Sequence, residues 1–163
     1  VYGGGGLGLM GAVARAAHGA GGRVLGVIPD ILRAAEATLT EIEHDFVPDM
    51  HTRKINMYSA SDAFLILPGG IGTLEEAVEV LSWQQLNLHD KPIVFLSDAG
   101  YWDGLLAEFE RIVAAGFARP SMRADFLQAT SVADAFAVIQ ERLDNPVERP
   151  PLTLRDASVQ SLA

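Results

Sequence analysis

The feature that most constrains the fold is an apolar run that passes directly into a glycine-rich turn. The run is Ala63-Phe64-Leu65-Ile66-Leu67, and Pro68-Gly69-Gly70-Ile71-Gly72 follows it. An unbroken apolar run of this length is typical of a buried parallel strand, and residues 73–81 have the pattern of a helix. A strand, a tight turn and a helix N-terminus bring backbone N–H groups together, and the helix dipole favours negative charge there. The segment therefore predicts an anion site.

Strand-like and helix-like segments alternate along the rest of the chain. Strand patterns end at residue 2 and span 23–28, 42–47, 63–67, 92–96 and 126–130, whereas helical patterns span 7–20, 30–39, 48–59, 73–88, 101–115 and 132–143. This alternation predicts a parallel sheet covered by helices on both faces. We therefore expect an α/β fold, a three-layer α/β/α Rossmann-like domain formed by residues 1–143. Residues 144–163 contain several prolines in a polar context and predict a C-terminal tail.

Composition excludes several classes of function. The formal net charge of −9 at pH 7 argues against general electrostatic binding of nucleic acid. No apolar stretch reaches the length of a membrane span. The chain contains no cysteine, which excludes disulfides and thiolate metal sites and fits a reducing cytoplasm. We therefore expect a cytoplasmic protein that holds no metal and binds neither nucleic acid nor membrane.

The chain also has an earlier glycine-rich segment near its start, so the turn at residues 69–72 is the second of two. Gly6-Leu7-Gly8-Leu9-Met10-Gly11 matches the dinucleotide fingerprint G-x-G-x-x-G, and Asp30 follows at a plausible distance. Glycines at these positions equally permit a tight turn and close helix–sheet packing, so both interpretations stay open. In a parallel sheet both glycine turns open at the carboxyl edge, where ligands bind, and can face one pocket. The fingerprint does not explain the later turn, which disfavours a plain NAD-binding module.

Charged residues near the two turns are candidate site groups. Arg53 and Lys54 are adjacent at the start of a predicted helix, where a guanidinium and an ammonium can meet a phosphate and a second polar group. A solvated ion pair between Asp49 and Arg53 is the alternative that the residues alone favour. Thr73 and Glu76 fit a capping box, with Thr73 at N-cap. A carboxylate fixed in this way can also face a developing cation.

The sequence resembles the Lonely Guy family, the cytokinin riboside 5′-monophosphate phosphoribohydrolases long labelled "possible lysine decarboxylases". The motif Pro68-Gly69-Gly70-Ile71-Gly72-Thr73-Leu74-Glu75-Glu76 carries the resemblance. It is supported by Tyr2-Gly3-Gly4-Gly5-Gly6-Leu7-Gly8-Leu9-Met10-Gly11, Met50-His51-Thr52-Arg53-Lys54 and Ser82-Trp83-Gln84-Gln85-Leu86 leading to His89-Asp90-Lys91-Pro92. The similar region runs from residue 1 to about residue 143. No lysine is an obvious Schiff-base partner for pyridoxal phosphate, so the residues do not support the decarboxylase label.

The resemblance implies hydrolysis of the N-glycosidic bond of an N6-modified AMP, without a cofactor. It implies that Arg53 and Glu76 are the catalytic pair. It also implies substrate contacts from Glu36, Lys54, Gly69, Gly70, Ile71, Gly72, Thr73, Leu74, Glu75 and Ser82, with Gly4, Gly5 and Gly6 on the phosphate side. The partners implied are a nucleoside 5′-monophosphate and a second copy of the chain. In this homodimer, the helices that follow Pro48 and Thr73 would lie at or beside the contact.

The sequence departs from the family at its start. The family ordinarily begins one β–α unit earlier, with a strand and a Gly-Ser-Ser-like turn, so we expect that the whole protein contains a unit which this sequence omits. Two other functions remain open: a general purine nucleotide 5′-monophosphate nucleosidase, and a non-catalytic nucleotide or molybdenum-cofactor carrier of related fold. Arg53 together with Glu76 favours the enzymes, because a carrier needs the anion cradle but not the acid.

Overall fold

A computed structural model describes residues 1–34 and 37–147. The chain divides into two compact units, Val1–Ser61 and Asp62–Ala163. The first unit contains α1 (Gly8–Gly19), β1 (Leu25–Pro29), β2 (Glu43–Val47) and α2 (Met50–Ser59). The second contains β3 (Phe64–Ile66), α3 (Ile71–Gln85), β4 (Ile93–Leu96), α4 (Asp103–Ala114), β5 (Phe126–Ala129) and α5 (Val132–Asp144). Short 3-10 helices span Asp30–Leu32, Asp98–Gly100 and Pro120–Ala124.

The first unit is built on a parallel strand pair. β1 and β2 pair from Leu25 opposite Glu43 to Pro29 opposite Val47, and Tyr2 adds a parallel bridge to Gly26. α2 packs on both strands. It begins where the carboxylate of Asp49 accepts the backbone N–H of Thr52 at 2.8 Å, which satisfies an N–H group at the helix start. α2 therefore lies against the pair formed by β1 and β2.

The second unit is a three-layer α/β/α structure. Its three strands run parallel in the order β3-β4-β5. Alternate side chains of β4 point to opposite faces, as strand geometry requires. Ile93 and Phe95 pack in one core with α3 and α4, and Val94 and Leu96 pack in the other with Ala135 of α5. The predicted α/β fold with a parallel sheet and helices on both faces is therefore confirmed.

The elements differ from their predicted bounds in a few places. Residues 30–39 were expected to be helical, but in the described part of this segment only the short 3-10 helix Asp30–Leu32 forms. β3 spans only Phe64–Ile66 of the predicted strand 63–67 and is half-buried. It lies at an edge of the three-stranded sheet, so β4 is the central strand of the second unit. Of the predicted tail, 144–163, residues 148–163 lie outside the described residues, and α5 extends to Asp144. The single domain over 1–143 stays a prediction.

No helix in the described ranges combines the length and the apolarity that crossing a membrane requires.

Candidate active site

The second glycine turn, residues 69–73, leads from the carboxyl end of β3 into α3. Gly70 is the N-cap, with φ −90° and ψ −160°, and no side chain caps the helix. The first helical hydrogen bond runs from the N–H of Leu74 to the carbonyl oxygen of Gly70, at 3.0 Å. The N–H groups of residues 71–73 therefore have no acceptor inside the helix. These N–H groups are donors at the N-terminal end of the helix, so they can form hydrogen bonds to an anion.

The predicted capping box is wrong. α3 begins at Ile71 rather than after Thr73, so Thr73 occupies the third helical position and Glu76 lies in the second turn. The reason is that Gly70 already adopts the extended conformation of an N-cap residue, which starts the helix earlier. Glu76 is half-buried beside the buried Ala77, whereas Glu75 is exposed. Burial thus distinguishes the two adjacent carboxylates.

The glycines of this turn have different roles. A Cβ atom placed on Gly69 would lie 2.2 Å from Oγ1 of Thr73, so a side chain at residue 69 would force the turn apart. Around Gly70 and Gly72 a Cβ atom would meet nothing within 4 Å. The first glycine allows the turn to close, and the other two leave its backbone accessible to a ligand.

Arg53 lies on α2 in the first unit and is buried, with 8% of its surface exposed. Its Nε donates to the carbonyl oxygen of Val27 at 3.2 Å. Asp49 does not pair with it: the carboxylate of Asp49 accepts the N–H and the hydroxyl of Thr52, at 2.8 and 3.1 Å. The backbone hydrogen bond from Thr52 holds the pKa of Asp49 below its usual value. The solvated ion pair between Asp49 and Arg53 is therefore wrong, and Arg53 is directed into its unit.

The other predicted contact residues have varied settings. Lys54 is half-buried on α2. Ser82 is exposed, and its hydroxyl donates to the carbonyl oxygen of Val78 at 2.8 Å within α3. Glu36 lies outside the described residues. Arg53 belongs to the first unit and Glu76 to the second, so the catalytic pair stays a prediction.

The loop that opens the first unit is held by packing. Gly4, Gly5 and Gly6 are buried, and the N–H of Gly6 donates to the carbonyl oxygen of Ala37 at 2.7 Å. A Cβ atom on Gly11 would lie 2.0 Å from the carbonyl oxygen of Gly6. These contacts give the packing interpretation of the G-x-G-x-x-G segment direct support. The phosphate-side role of Gly4, Gly5 and Gly6 stays a prediction.

Sequence reasoning missed two residues that touch the candidate site groups. Tyr101 follows β4 in the second unit, and its hydroxyl donates to the carbonyl oxygen of Gly69 at 2.7 Å. Gly3 lies beside the guanidinium of Arg53 in the first unit. The available signal was the position of each residue, because both follow the carboxyl ends of strand segments, where ligand sites of α/β proteins occur.

Parallel strands, glycine turns at their carboxyl ends and the uncapped start of α3 together define a Rossmann-like α/β protein with a candidate anion site. Comparison with known proteins gives the family. A family model described as "Possible lysine decarboxylase" matches residues 10–141. The chain belongs to this family, which includes the cytokinin riboside 5′-monophosphate phosphoribohydrolases, and the predicted resemblance is confirmed.

Three relatives illustrate the similarity. The probable cytokinin riboside 5′-monophosphate phosphoribohydrolase LOGL5 of Oryza sativa subsp. japonica is 44% identical over 157 residues, covering 94% of this chain and 63% of the relative. LOG6 of Arabidopsis thaliana, also named a probable cytokinin riboside 5′-monophosphate phosphoribohydrolase, is 46% identical over 86% of this chain and 71% of its own length. The Arabidopsis thaliana cytokinin riboside 5′-monophosphate phosphoribohydrolase LOG5 is 49% identical over 82% of this chain and 59% of its own length. The chain thus spans less than two thirds of LOGL5 and of LOG5.

Proposed function

We propose that the protein hydrolyses the N-glycosidic bond of cytokinin riboside 5′-monophosphates, which are N6-modified AMP, to free base and ribose 5-phosphate. The observation that carries the proposal is 49% identity to LOG5, a relative named for this activity, in a chain whose signature motif forms an open glycine turn at a helix start. The absence of a cofactor and the cytoplasmic location stay predictions.

The substrate phosphate is an anion that suits the second glycine turn. Residues 71–73 offer N–H groups without intrahelical acceptors, and the dipole of the 15-residue helix α3 favours negative charge at that end. The open space at Gly70 and Gly72 lets a ligand approach the backbone closely. Separately, in the first unit, Lys54 carries a point charge and the buried guanidinium of Arg53 is a planar donor of the kind that suits phosphate or carboxylate.

Glu76 is the proposed acid–base group. When the C1′–N9 bond breaks, its electron pair leaves with the purine and the ribose gains oxocarbenium character. A carboxylate stabilises that charge, and it also orients the water whose oxygen bonds to C1′. One proton from the water ends on the released base, so atoms and charge balance. Half-burial of Glu76 reduces solvent screening of its charge relative to the exposed Glu75.

We also propose that the protein is a homodimer. α2 exposes Met50 and Ile55, and the C-terminal end of α3 is followed by Leu86 and Leu88, which are 56% and 62% exposed. An isologous two-fold contact would remove such side chains from water, and it is the commonest oligomeric arrangement. Trp83 is half-buried against the core of its own unit, which supports a role in the monomer for that residue.

The test uses the full-length protein with two substrates, isopentenyladenosine 5′-monophosphate and AMP, followed by chromatography for free base. The proposal predicts release of isopentenyladenine and little or no adenine. Release of both bases at similar rates would replace it with a general purine nucleotide nucleosidase. Binding of both nucleotides without release of either base would replace it with a carrier.

A further inference from the structure

Gly3 provides the space that the guanidinium of Arg53 occupies. A Cβ atom on Gly3 would lie 2.4 Å from Nη2 of Arg53 and 3.6 Å from its Cζ, and the first distance is shorter than any non-bonded contact allows. Only a residue without a side chain therefore leaves Arg53 where it is. We propose that Gly3 is a positioning residue for Arg53. Its consequence for catalysis rests on the proposed function, whereas its effect on the guanidinium does not.

A second contact fixes the same side chain from β1. Nε of Arg53 donates to the carbonyl oxygen of Val27 at 3.2 Å, and Val27 is fully buried. The segment that carries Gly3 is tied to β1 next to this carbonyl. The N–H of Tyr2 donates to Leu25, and the N–H of Val27 donates to Tyr2, both at 3.0 Å. Gly3 and the Val27 carbonyl are thus held next to each other, and together they define the position of the guanidinium.

Gly3 is a suitable position for a test, because a new side chain there would meet a flexible side chain and not the backbone. At Gly11 a Cβ atom would collide with a backbone oxygen, so substitution there disturbs the fold. At Gly3 the closest atom is the end of a long flexible side chain, and the next, Sδ of Met10, is at 3.3 Å. Gly3 is also not among the glycines with positive φ. The substitution Gly3→Ala should therefore displace the guanidinium of Arg53 and leave the fold intact.

Lysine offers a matched background, because it lacks the Nη2 atom that approaches Gly3. If Gly3 acts through the guanidinium, Gly3→Ala should matter in the native background and matter little when Arg53→Lys is already present. A glycine needed only for the fold would cost the same in both backgrounds. Non-additivity of this kind is the signature of two residues in contact.

The experiment compares Gly3→Ala, Arg53→Lys and the double variant in the full-length protein, with Gly19→Ala as control. Gly19 lies in the same unit, and a Cβ atom there meets nothing within 4 Å. One readout is the arginine Nε–H signal of Arg53 in ¹⁵N-labelled protein, assigned by its loss in Arg53→Lys. The second is kcat/KM for release of isopentenyladenine. Thermal unfolding checks the fold of each variant.

We expect Gly3→Ala to shift the Nε–H signal of Arg53 and to lower kcat/KM roughly tenfold to a hundredfold, as small misplacements of site groups do. Gly19→Ala should change neither, and in the Arg53→Lys background Gly3→Ala should cost no more than about twofold. An unchanged Nε–H signal in Gly3→Ala would overturn the proposal, and so would an equal loss of kcat/KM in both backgrounds. If the unaltered protein releases no base, the proposed function fails, and the Nε–H signal alone decides the role of Gly3.

Discussion

The hydroxyl of Tyr101 donates a 2.7 Å hydrogen bond to the carbonyl oxygen of Gly69. No peptide bond in the described residues is cis, and in a planar trans peptide the C=O and the following N–H point in opposite directions. By holding the carbonyl of Gly69, Tyr101 therefore also fixes the direction of the Gly70 N–H. The loop that carries Tyr101 is itself braced, because Ser97 Oγ accepts the N–H of Trp102 at 2.9 Å and donates to Asp103 at 2.7 Å.

Removing this hydroxyl should loosen the second glycine turn. Tyr101→Phe loses one hydrogen bond, which is worth about 1 kcal/mol of stability. Ordering the loosened turn around the nucleotide would cost at most this free energy, which corresponds to roughly fivefold weaker binding. We expect KM for the nucleotide to rise about fivefold with a smaller change in kcat, measured by steady-state base release. Ser131→Ala is the control, since it removes a hydroxyl that accepts the N–H of Asp134 at the start of α5. An equal rise in KM in both variants would contradict the role of Tyr101.

Two neighbouring glycines should respond differently to the same substitution. Gly69→Ala places a methyl group against Thr73 and should destabilise the protein by about 1–3 kcal/mol, the cost of overpacking. Gly70→Ala meets open space, so the melting temperature should stay close to the native value. The methyl group at residue 70 should nevertheless hinder a ligand at the turn and raise KM. Thermal unfolding and nucleotide titration measure the two effects, and a larger loss of stability in Gly70→Ala would refute this account of the turn.

The cap of α2 should depend on pH. Hydrogen bonding to Thr52 lowers the pKa of Asp49 in the folded state, so the folded protein binds this proton less readily than the unfolded chain, whose Asp pKa is about 3.9. The cap therefore contributes stability above that pH, and the contribution is lost as the pH falls through the lower folded pKa. Asp49→Ala should lower the melting temperature at neutral pH, and the difference should shrink towards pH 3.

Asp49→Asn is the matched variant, because an asparagine side chain caps without a titrating charge. The difference between Asp49→Asn and Asp49→Ala should stay nearly constant across the same pH range. A native-minus-alanine difference that is equally large at pH 3 and pH 7 would show that the charge of Asp49 does not contribute.

Leu86 tests the proposed homodimer. A charge in an apolar contact is costly, so Leu86→Glu should shift the protein towards the monomer at micromolar concentration, as measured by size-exclusion chromatography with light scattering. Phe136→Glu is the control, since Phe136 is similarly exposed but lies on α5. A native protein that is a fully active monomer would rule out the dimer. Dissociation by Phe136→Glu alone would move the contact to α5.

Strands and helices were predictable from the sequence where their local signals are strong, and less so where those signals are weak or ambiguous. Residues 92–96 form an apolar run, and they became the central strand β4, whose residues Ile93–Leu96 are all buried. The capping-box pattern of Thr73 and Glu76 predicted the N-cap of α3 three residues too late, at Thr73, whereas Gly70 takes that position because the turn sets its extended conformation. The helical pattern over 30–39 lacked a strong apolar period, and in the described residues it gave only one short 3-10 helix.

The contacts of the site were less predictable because they join distant segments. Local spacing favoured an ion pair between Asp49 and Arg53, but the nearby Thr52 N–H takes the carboxylate and Arg53 turns to Val27, 26 residues earlier. The bond from Tyr101 to Gly69 spans 32 residues. Neither periodicity nor composition carries information on such pairs, whereas the family motif identified Arg53, Glu76 and the second glycine turn as candidates.

The most direct test of the account is the rate of base release by Glu76→Gln in the full-length protein, with Glu75→Gln as the matched control. Glutamine keeps the size of the side chain and removes the charge that would face the oxocarbenium ion. We expect Glu76→Gln to lower kcat for isopentenyladenine release roughly a hundredfold or more while the nucleotide still binds. The exposed Glu75 should tolerate the same change with a mild effect. Near-native turnover in Glu76→Gln would contradict the central claim that this carboxylate performs the chemistry.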